Sequence, residues 1–323
     1  MEFDLVDLIR RHTAQQRDDV LLGIGDDAAV LSVPAGQALV MAVDTLVEGV
    51  HFPAGTAAAD IGWKALAVNL SDLAAMGASP AWALLTLTLP DADPGFVAGF
   101  ADGFAALARL YRLALVGGDT TRGPLCISVA VHGFVPPGQA LVRAGGLAGD
   151  VLLVTGTPGD AAAGLHALQN PARDADPQHR RWHEWVIGRL HRPTPRLAAG
   201  IALRGVASAC IDISDGLLAD LGHICRASGV GAEIEAMRLP RSSALRGLHD
   251  DATALRFALG GGDDYELCFS VPPSRLAEVQ AALAQIGCSA TCIGRLVEGS
   301  EVRVRGEDGA SLTIDHHGWE HFA

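Results

Sequence analysis

Read from its N-terminus, the chain alternates short apolar runs with polar punctuation, and the period of the runs shifts between that of helices and that of strands. Residues 3–12 carry apolar positions at helical spacing. Residues 39–44 (LVMAVD) form a buried strand pattern ending in Asp44. Residues 57–76 form a helix rich in small residues, its apolar side interrupted by Asn69, Ser71 and Asp72. A strand at 81–89, a helix at 94–111 and strands at 113–117 and 125–135 follow. Pro136-Pro137-Gly138 and Ala144-Gly145-Gly146 then punctuate the chain, and VLLVTG (151–156) opens a new strand. Beyond it the pattern predicts a helix after GTPGDAAAGL, a helix within 171–195 with loose flanks, and a strand ending within 211–215. A helix at 216–228 and strands near 265–271 and 291–297 complete the set. Together these predict an α+β protein of two sheet-and-helix domains, residues 1–138 and 139–323.

Composition sharpens the picture. With 24 Lys plus Arg against 37 Asp plus Glu, the net charge is −13. That balance argues against nucleic acid and anionic membrane as partners, because both call for clustered basic residues. The start of the chain lacks the apolar stretch of a signal peptide, and no run approaches the roughly 20 apolar residues that span a bilayer. The expectation is a soluble, cytoplasmic protein. Six scattered cysteines include no CxxC pair; Cys288 and Cys292 read either as indifferent thiols in a reducing compartment or, less simply, as half of a zinc site. Lys64 is the only lysine and sits in GWKALAV, which cannot form a Walker A loop. If the protein handles nucleotide phosphates, something other than lysine neutralises them.

The candidate chemistry lies in aspartates. Six clusters share one grammar, an Asp beside Gly or Ser at the end of an apolar run: Asp26-Asp27, Asp44-Thr45, Ser71-Asp72, Gly118-Asp119, Asp212 to Asp215, and Asp263-Asp264. Singly, each reads as a turn or a helix cap. Converging, they would repel one another unless protonated or bound to cations. Carboxylates without His or Cys favour a hard cation, and Mg²⁺ held this way is commonly shared with substrate phosphates. The reading is Mg²⁺-dependent phosphoryl transfer. Two other features keep alternatives open: TGTPGDAAAGL is either a phosphate cradle at a helix N-terminus or a plain strand-to-helix turn, and Arg122 and Arg143 are either surface charges or phosphate ligands.

GIGDDAAV (23–30), DTLVEGVHF (44–52), NLSDLAAMGASP (69–80), GGDTTRG (117–123), DISDG (212–216), GGDDYEL (261–267) and HGWEHF (317–322) together resemble the thiamine-monophosphate kinase family. That family belongs to a group that also holds aminoimidazole ribonucleotide synthetase, selenophosphate synthetase and the hydrogenase maturation factor HypE. The resemblance implies a homodimer paired through the N-terminal sheets and a C-terminal α+β domain closing over ATP. It implies several Mg²⁺ ions and transfer of the ATP γ-phosphoryl group to thiamine monophosphate. Matched by motif, Asp27, Asp44, Asp72, Asp119, Asp212 and Asp215 are metal ligands, with Thr45 a further one. Gly118, Asp119, Arg143 and Ser214 contact nucleotide, and His51, Asp263 and Trp319 contact substrate; no catalytic nucleophile is implied. Asp263 stands where the family more often has Glu, which retracts the carboxylate by one methylene. Without the resemblance, His51 reads as a turn histidine and Trp319 as a packing anchor.

The competing readings are distinguishable. A selenophosphate synthetase needs a reactive Cys near the N-terminus, whereas the first cysteine here is Cys126; a HypE-like chain ends in cysteine, whereas this one ends in Ala323. A non-catalytic nucleotide sensor has no need to retain every metal-matching Asp.

Overall fold

The computed structural model describes residues 2–171, 176–314 and 318–320. It divides into two compact units, one of residues 1–73 with 78–138 and one of 74–77 with 139–323.

The first unit holds helices α1 (Glu2–Thr13), α2 (Ala58–Ala75) and α3 (Pro94–Leu110), and strands β1 (Val20–Leu22), β2 (Val30–Leu31), β3 (Ala38–Val47), β4 (Ser79–Leu89), β5 (Ala114–Arg122) and β6 (Cys126–Val135). Four strands form one sheet in the order β3-β6-β4-β5, in which only the β4–β5 pair is parallel. Leu66, Leu70 and Leu73 of α2, Phe100 and Phe104 of α3, and Leu87 and Ile127 of the sheet are fully buried. Pro94 at the first position of α3 and Asp93, whose carboxylate accepts from the Gly95 N–H at 2.8 Å, fix where that helix begins. Helices α2 and α3 meet backbone to backbone at Gly103, where a β-carbon would collide with the main chain of Ala59. The β1–β2 ribbon packs Val20 and Leu31 over Trp82, Val116 and Phe134.

The second unit carries a seven-stranded sheet. Its strands are β7 (Val151–Thr155), β8 (Ala209–Asp212), β9 (Gly231–Glu235), β10 (Leu267–Val271), β11 (Ala290–Val297), β12 (Val302–Arg305) and β13 (Ser311–Leu312). Their order is β13-β12-β9-β11-β7-β10-β8, antiparallel except between β12 and β9. The helices are α4 (Asp160–Gln169), α5 (Pro177–His191), α6 (Leu197–Leu203), α7 (Leu217–Ser228), α8 (Ser243–Leu248), α9 (Asp251–Gly260) and α10 (Leu276–Gln285). Leu217, Leu221 and Ile224 of α7 bury one helical face against Ile211, Ile234 and Leu296 of the sheet.

The mixed helix-and-sheet class expected from the pattern is observed, with three differences. The strand expected to stop at residue 117 continues through GGDTTR to Arg122, so Asp119 lies inside β5. Asp44 is likewise inside β3, and the strand expected to run to 215 ends at Asp212. No helix among the described residues is long and apolar enough to cross a membrane.

Candidate functional site

In the first unit, β5 can track β4 through the glycine pair because Gly118 (φ +150°) has no β-carbon; one would overlap the Leu85 carbonyl. Asp119 follows, paired with Thr86. The loop with Asp26 and Asp27 comes to the same place. Asp27, Gly118 and Asp119 all line a cavity of about 1000 Å³ bounded by α1, the 24–31 segment and strands β4 and β5. Arg10 lines it as well, its guanidinium 3.7 Å from where a side chain on Gly25 would begin.

The register sets the other N-terminal positions apart. Thr45, Ser128, Thr86 and Asp119 pair across the sheet and share one face, and the Thr45 and Ser128 hydroxyls are 2.7 Å apart. Asp44 alternates to the opposite face, which α2 covers: its N–H donates to Asn69 Oδ1 at 2.8 Å, and Asp72 lies one turn further along α2. Asp44 and Asp119 stand on the two edge strands, three inter-strand spacings or about 14 Å apart. The structure therefore brings Asp27 and Asp119 together, and Asp44 and Asp72 near one another, as two separate pairs. His51 sits in the loop after β3, its Nδ1 accepting from the Val47 N–H at 3.0 Å.

In the second unit three motifs distant in sequence meet. The Asp263 and Tyr265 N–H groups donate to the carbonyls of Ser214 and Ile213, each at 2.8 Å, so the 261–267 motif runs beside the 212–216 motif. The Trp319 N–H donates to the Asp215 carbonyl at 3.0 Å, and the indole is 54% exposed. Asp263 (φ 68°) and Tyr265 (φ 52°) both take the left-handed conformation, and the Tyr265 hydroxyl donates to Asp263 Oδ1 at 3.0 Å. Asp tolerates that conformation better than most side chains, a local reason for Asp at this position. Arg143 is exposed; Ser228 Oγ donates to its carbonyl and accepts from the Gly146 N–H, each at 3.1 Å, fastening its segment to the end of α7.

The roles of several residues that build these sites escaped the sequence reading. The Asp220 carboxylate accepts from the N–H groups of Ser214 (3.0 Å), Asp215 (3.1 Å) and Gly216 (3.1 Å), shaping the whole 212–216 loop. Burial first, then the charges of Asp212 and Asp215, push its pKa up to about 7. The buried Glu266 is held by Arg189 at 2.9 Å, by Arg196 and by Thr155 Oγ1 at 2.6 Å. Asp264 accepts from the N–H groups of Gly159 (2.6 Å) and Ala161 (3.2 Å) at the start of α4. Burial holds the Asp264 pKa well above the ordinary carboxylate range despite those bonds. Asp264 and Glu266 lie in the GGDDYEL motif already singled out, without these roles, and for Asp220 the sequence signal was an acidic residue inside an apolar helix pattern.

The donor chemistry fits Mg²⁺. The charges of Asp212 and Asp215 add to burial in raising the Asp220 pKa, and a divalent cation relieves such a gathering of carboxylates. Among the described residues no three His, Cys, Asp or Glu side chains are grouped closely enough to hold a metal by themselves. Mg²⁺ does not need such a cage, since it retains water and takes one or two carboxylates with substrate phosphates.

Residues 25–135 match the family model "AIR synthase related protein, N-terminal domain", and residues 148–307 match its C-terminal counterpart. The thiamine-monophosphate kinase of Salmonella typhimurium is 48% identical over 322 residues, covering 100% of this chain and 98% of that one. The crystal structure of thiamine-monophosphate kinase from Stenotrophomonas maltophilia superposes with a TM-score of 0.88 at 50% identity, covering 96% of this chain and 98% of that chain. A structure described as AaThiL complexed with AMPPCP and TMP gives a TM-score of 0.78 at 34% identity, covering 99% and 97%. The chain belongs to the AIR synthase related family and, within it, to the thiamine-monophosphate kinases.

Proposed function

We propose that this protein transfers the γ-phosphoryl group of ATP to thiamine monophosphate, giving thiamine diphosphate and ADP by direct in-line transfer. The observation that carries the reading is the meeting of the 212–216, 261–267 and 318–319 segments through backbone hydrogen bonds. It ties Trp319, whose indole is exposed, to Asp215, and Asp263 to Ser214, along one loop. In this reading Asp27, Asp119, Asp44, Asp72, Asp212 and Asp215, with Thr45, hold several Mg²⁺ ions. When bound, these supply the positive charge that a chain with one lysine lacks. Gly118 lets the backbone approach the nucleotide closely, and Arg143 and Ser214 hold its phosphates. His51 and Asp263 orient thiamine monophosphate, and the Trp319 ring face takes the thiazolium by cation–π attraction. The acceptor is a phosphate oxygen and needs little help from a base, so positioning and charge neutralisation dominate.

The same reading places the enzyme in the cytoplasm as a homodimer paired through the N-terminal sheet. Support for pairing comes from β3, where Met41 (63% exposed) and Val43 (64%) share a face with Leu39 and with Leu84 of β4. A second copy is the natural cover for that apolar face.

Incubation with ATP, MgCl₂ and thiamine monophosphate, followed by chromatography, should yield thiamine diphosphate and ADP in equal amounts. ADP without thiamine diphosphate would overturn the assignment of the acceptor.

A further inference from the structure

The 261–267 segment is held in a conformation that its own residues do not favour. Asp263 (φ 68°) and Tyr265 (φ 52°) are both left-handed, a region that a bulky side chain such as Tyr enters only when its surroundings compel it. Their amides are tied to the 212–216 loop. The side chains of Asp264 and Glu266 point the other way in their chemistry: both are buried, at 1% and 0% exposure, whereas Asp263 stays partly exposed. The segment thus presents one carboxylate and anchors itself by the next two acidic residues.

The anchor at Glu266 is the more elaborate. Arg196 Nε and Nη2 donate to its two carboxylate oxygens at 2.6 and 2.5 Å, a paired grip that fixes orientation as well as distance. Arg189 Nη2 adds a bond to Oε1 at 2.9 Å and reaches the Asp264 carbonyl at 3.3 Å, so it holds side chain and main chain together. Thr155 Oγ1 donates to Oε2 and accepts from the Leu267 N–H at 2.8 Å. Room for the carboxylate exists because residue 156 is glycine (φ 58°); a β-carbon there would fall on Glu266 Oε1. Arg196 follows Pro193-Thr194-Pro195, whose prolines stiffen its approach, and directly precedes α6. The 212–216 loop has its own anchor in Asp220, so the two loops are braced separately.

We propose that Arg196, aided by Arg189, is a positioning residue for the phosphoryl acceptor: through Glu266 it holds Asp263 in the left-handed conformation that meets thiamine monophosphate. The inference rests on the assignment of Asp263 to the acceptor under the proposed function. With the grip released, the 263–265 turn relaxes and must be ordered again on binding, which weakens the acceptor and leaves the separately braced nucleotide loop in place.

Steady-state kinetics of the full-length protein test it, for wild type, Arg196→Met, Glu266→Gln and the double variant. KM for thiamine monophosphate should rise about tenfold or more in each single variant, while KM for ATP stays within about threefold. The double variant should be no worse than the more affected single one, because both substitutions cut the same link. Arg196→Lys keeps the charge without the fork and should fall between wild type and Arg196→Met; it takes that variant's place if Arg196→Met does not fold. Hydrogen exchange at the Asp263 and Tyr265 amides should accelerate in the Arg196 variant, with Ser214, Asp215 and Gly216 unchanged. An unchanged KM for thiamine monophosphate, an equal rise in both KM values, additive effects in the double variant or unchanged exchange at Asp263 overturns the proposal. If wild type does not turn over thiamine monophosphate, the kinase reading fails, and exchange alone decides whether Arg196 holds the turn.

Discussion

Lys64, the only lysine in the chain, donates from Nζ to the backbone carbonyl of His51 at 2.9 Å. The ammonium is buried on α2, and His51 Nδ1 takes the Val47 N–H, so the loop after β3 is held by its backbone and by its histidine. Lysine at this position orders a loop. Its ammonium is taken up by the His51 carbonyl, which agrees with a site that draws its positive charge from cations.

Replacing Lys64 by Met keeps the apolar stem and removes the donor. The variant should lose about 1–3 kcal/mol of stability, the range for leaving a buried acceptor, here the His51 carbonyl, unsatisfied. Its KM for thiamine monophosphate should rise about tenfold while kcat changes far less, the pattern of lost ground-state binding. Urea unfolding and steady-state kinetics check this; an unchanged KM would remove His51 from the substrate site.

Asp220 shapes the 212–216 loop through three amide hydrogen bonds. Asp220→Ala leaves those donors without their acceptor and should lower kcat/KM by about a hundredfold, because a small displacement at a transfer site is costly. Hydrogen exchange at Ser214, Asp215 and Gly216 should accelerate in step. Loss of activity with protection intact would point to a direct role for the carboxylate.

Asp19 anchors the segment leading into β1, accepting from Arg17 Nε at 2.8 Å and from Trp82 Nε1 at 3.0 Å. The Arg17 hydrogen bonds, followed by that of Trp82, hold its pKa below the ordinary 3.8. A carboxylate lowered on folding stabilises the native state above its unfolded-state value and loses that contribution as pH falls through the folded-state value. Wild type should therefore shed more stability than Asp19→Asn as pH drops from about 5 to below 3.8. Denaturant melts across that window measure the difference; parallel curves would contradict it.

The outline of the fold was legible because most elements in the first unit are long and strongly patterned. The strand through residue 122 was not, since GGDTTR has the composition of a turn and becomes a strand only through close pairing of β5 with β4 at Gly118. Strand β9 and helices α8 to α10 are short or weakly periodic, and tertiary packing decides them. The ambiguity of TGTPGDAAAGL resolves as well. The amides at the start of α4 do hold a carboxyl group, but it is the protein's own Asp264. Motif residues were recognisable one by one, whereas the separation of Asp44 from Asp119 follows from strand order and register, which no local pattern encodes. Of the 317–322 motif, His317, His321 and Phe322 lie outside the described residues.

Asp72→Asn preserves shape and removes charge on α2. Turnover should fall by about a hundredfold or more, a loss of transition-state charge stabilisation, while the melting temperature moves little. Full activity at low Mg²⁺ would remove Asp72 from the metal ligands.

The central claim is metal-dependent, direct phosphoryl transfer to thiamine monophosphate. The most direct measurement supplies ATP labelled in its γ-phosphoryl group, with thiamine monophosphate and MgCl₂, and follows the label with and without EDTA. The account predicts label in thiamine diphosphate, none on the protein, and no transfer once EDTA is present. Equal transfer in EDTA, or no labelled thiamine diphosphate at any Mg²⁺ concentration, would contradict it.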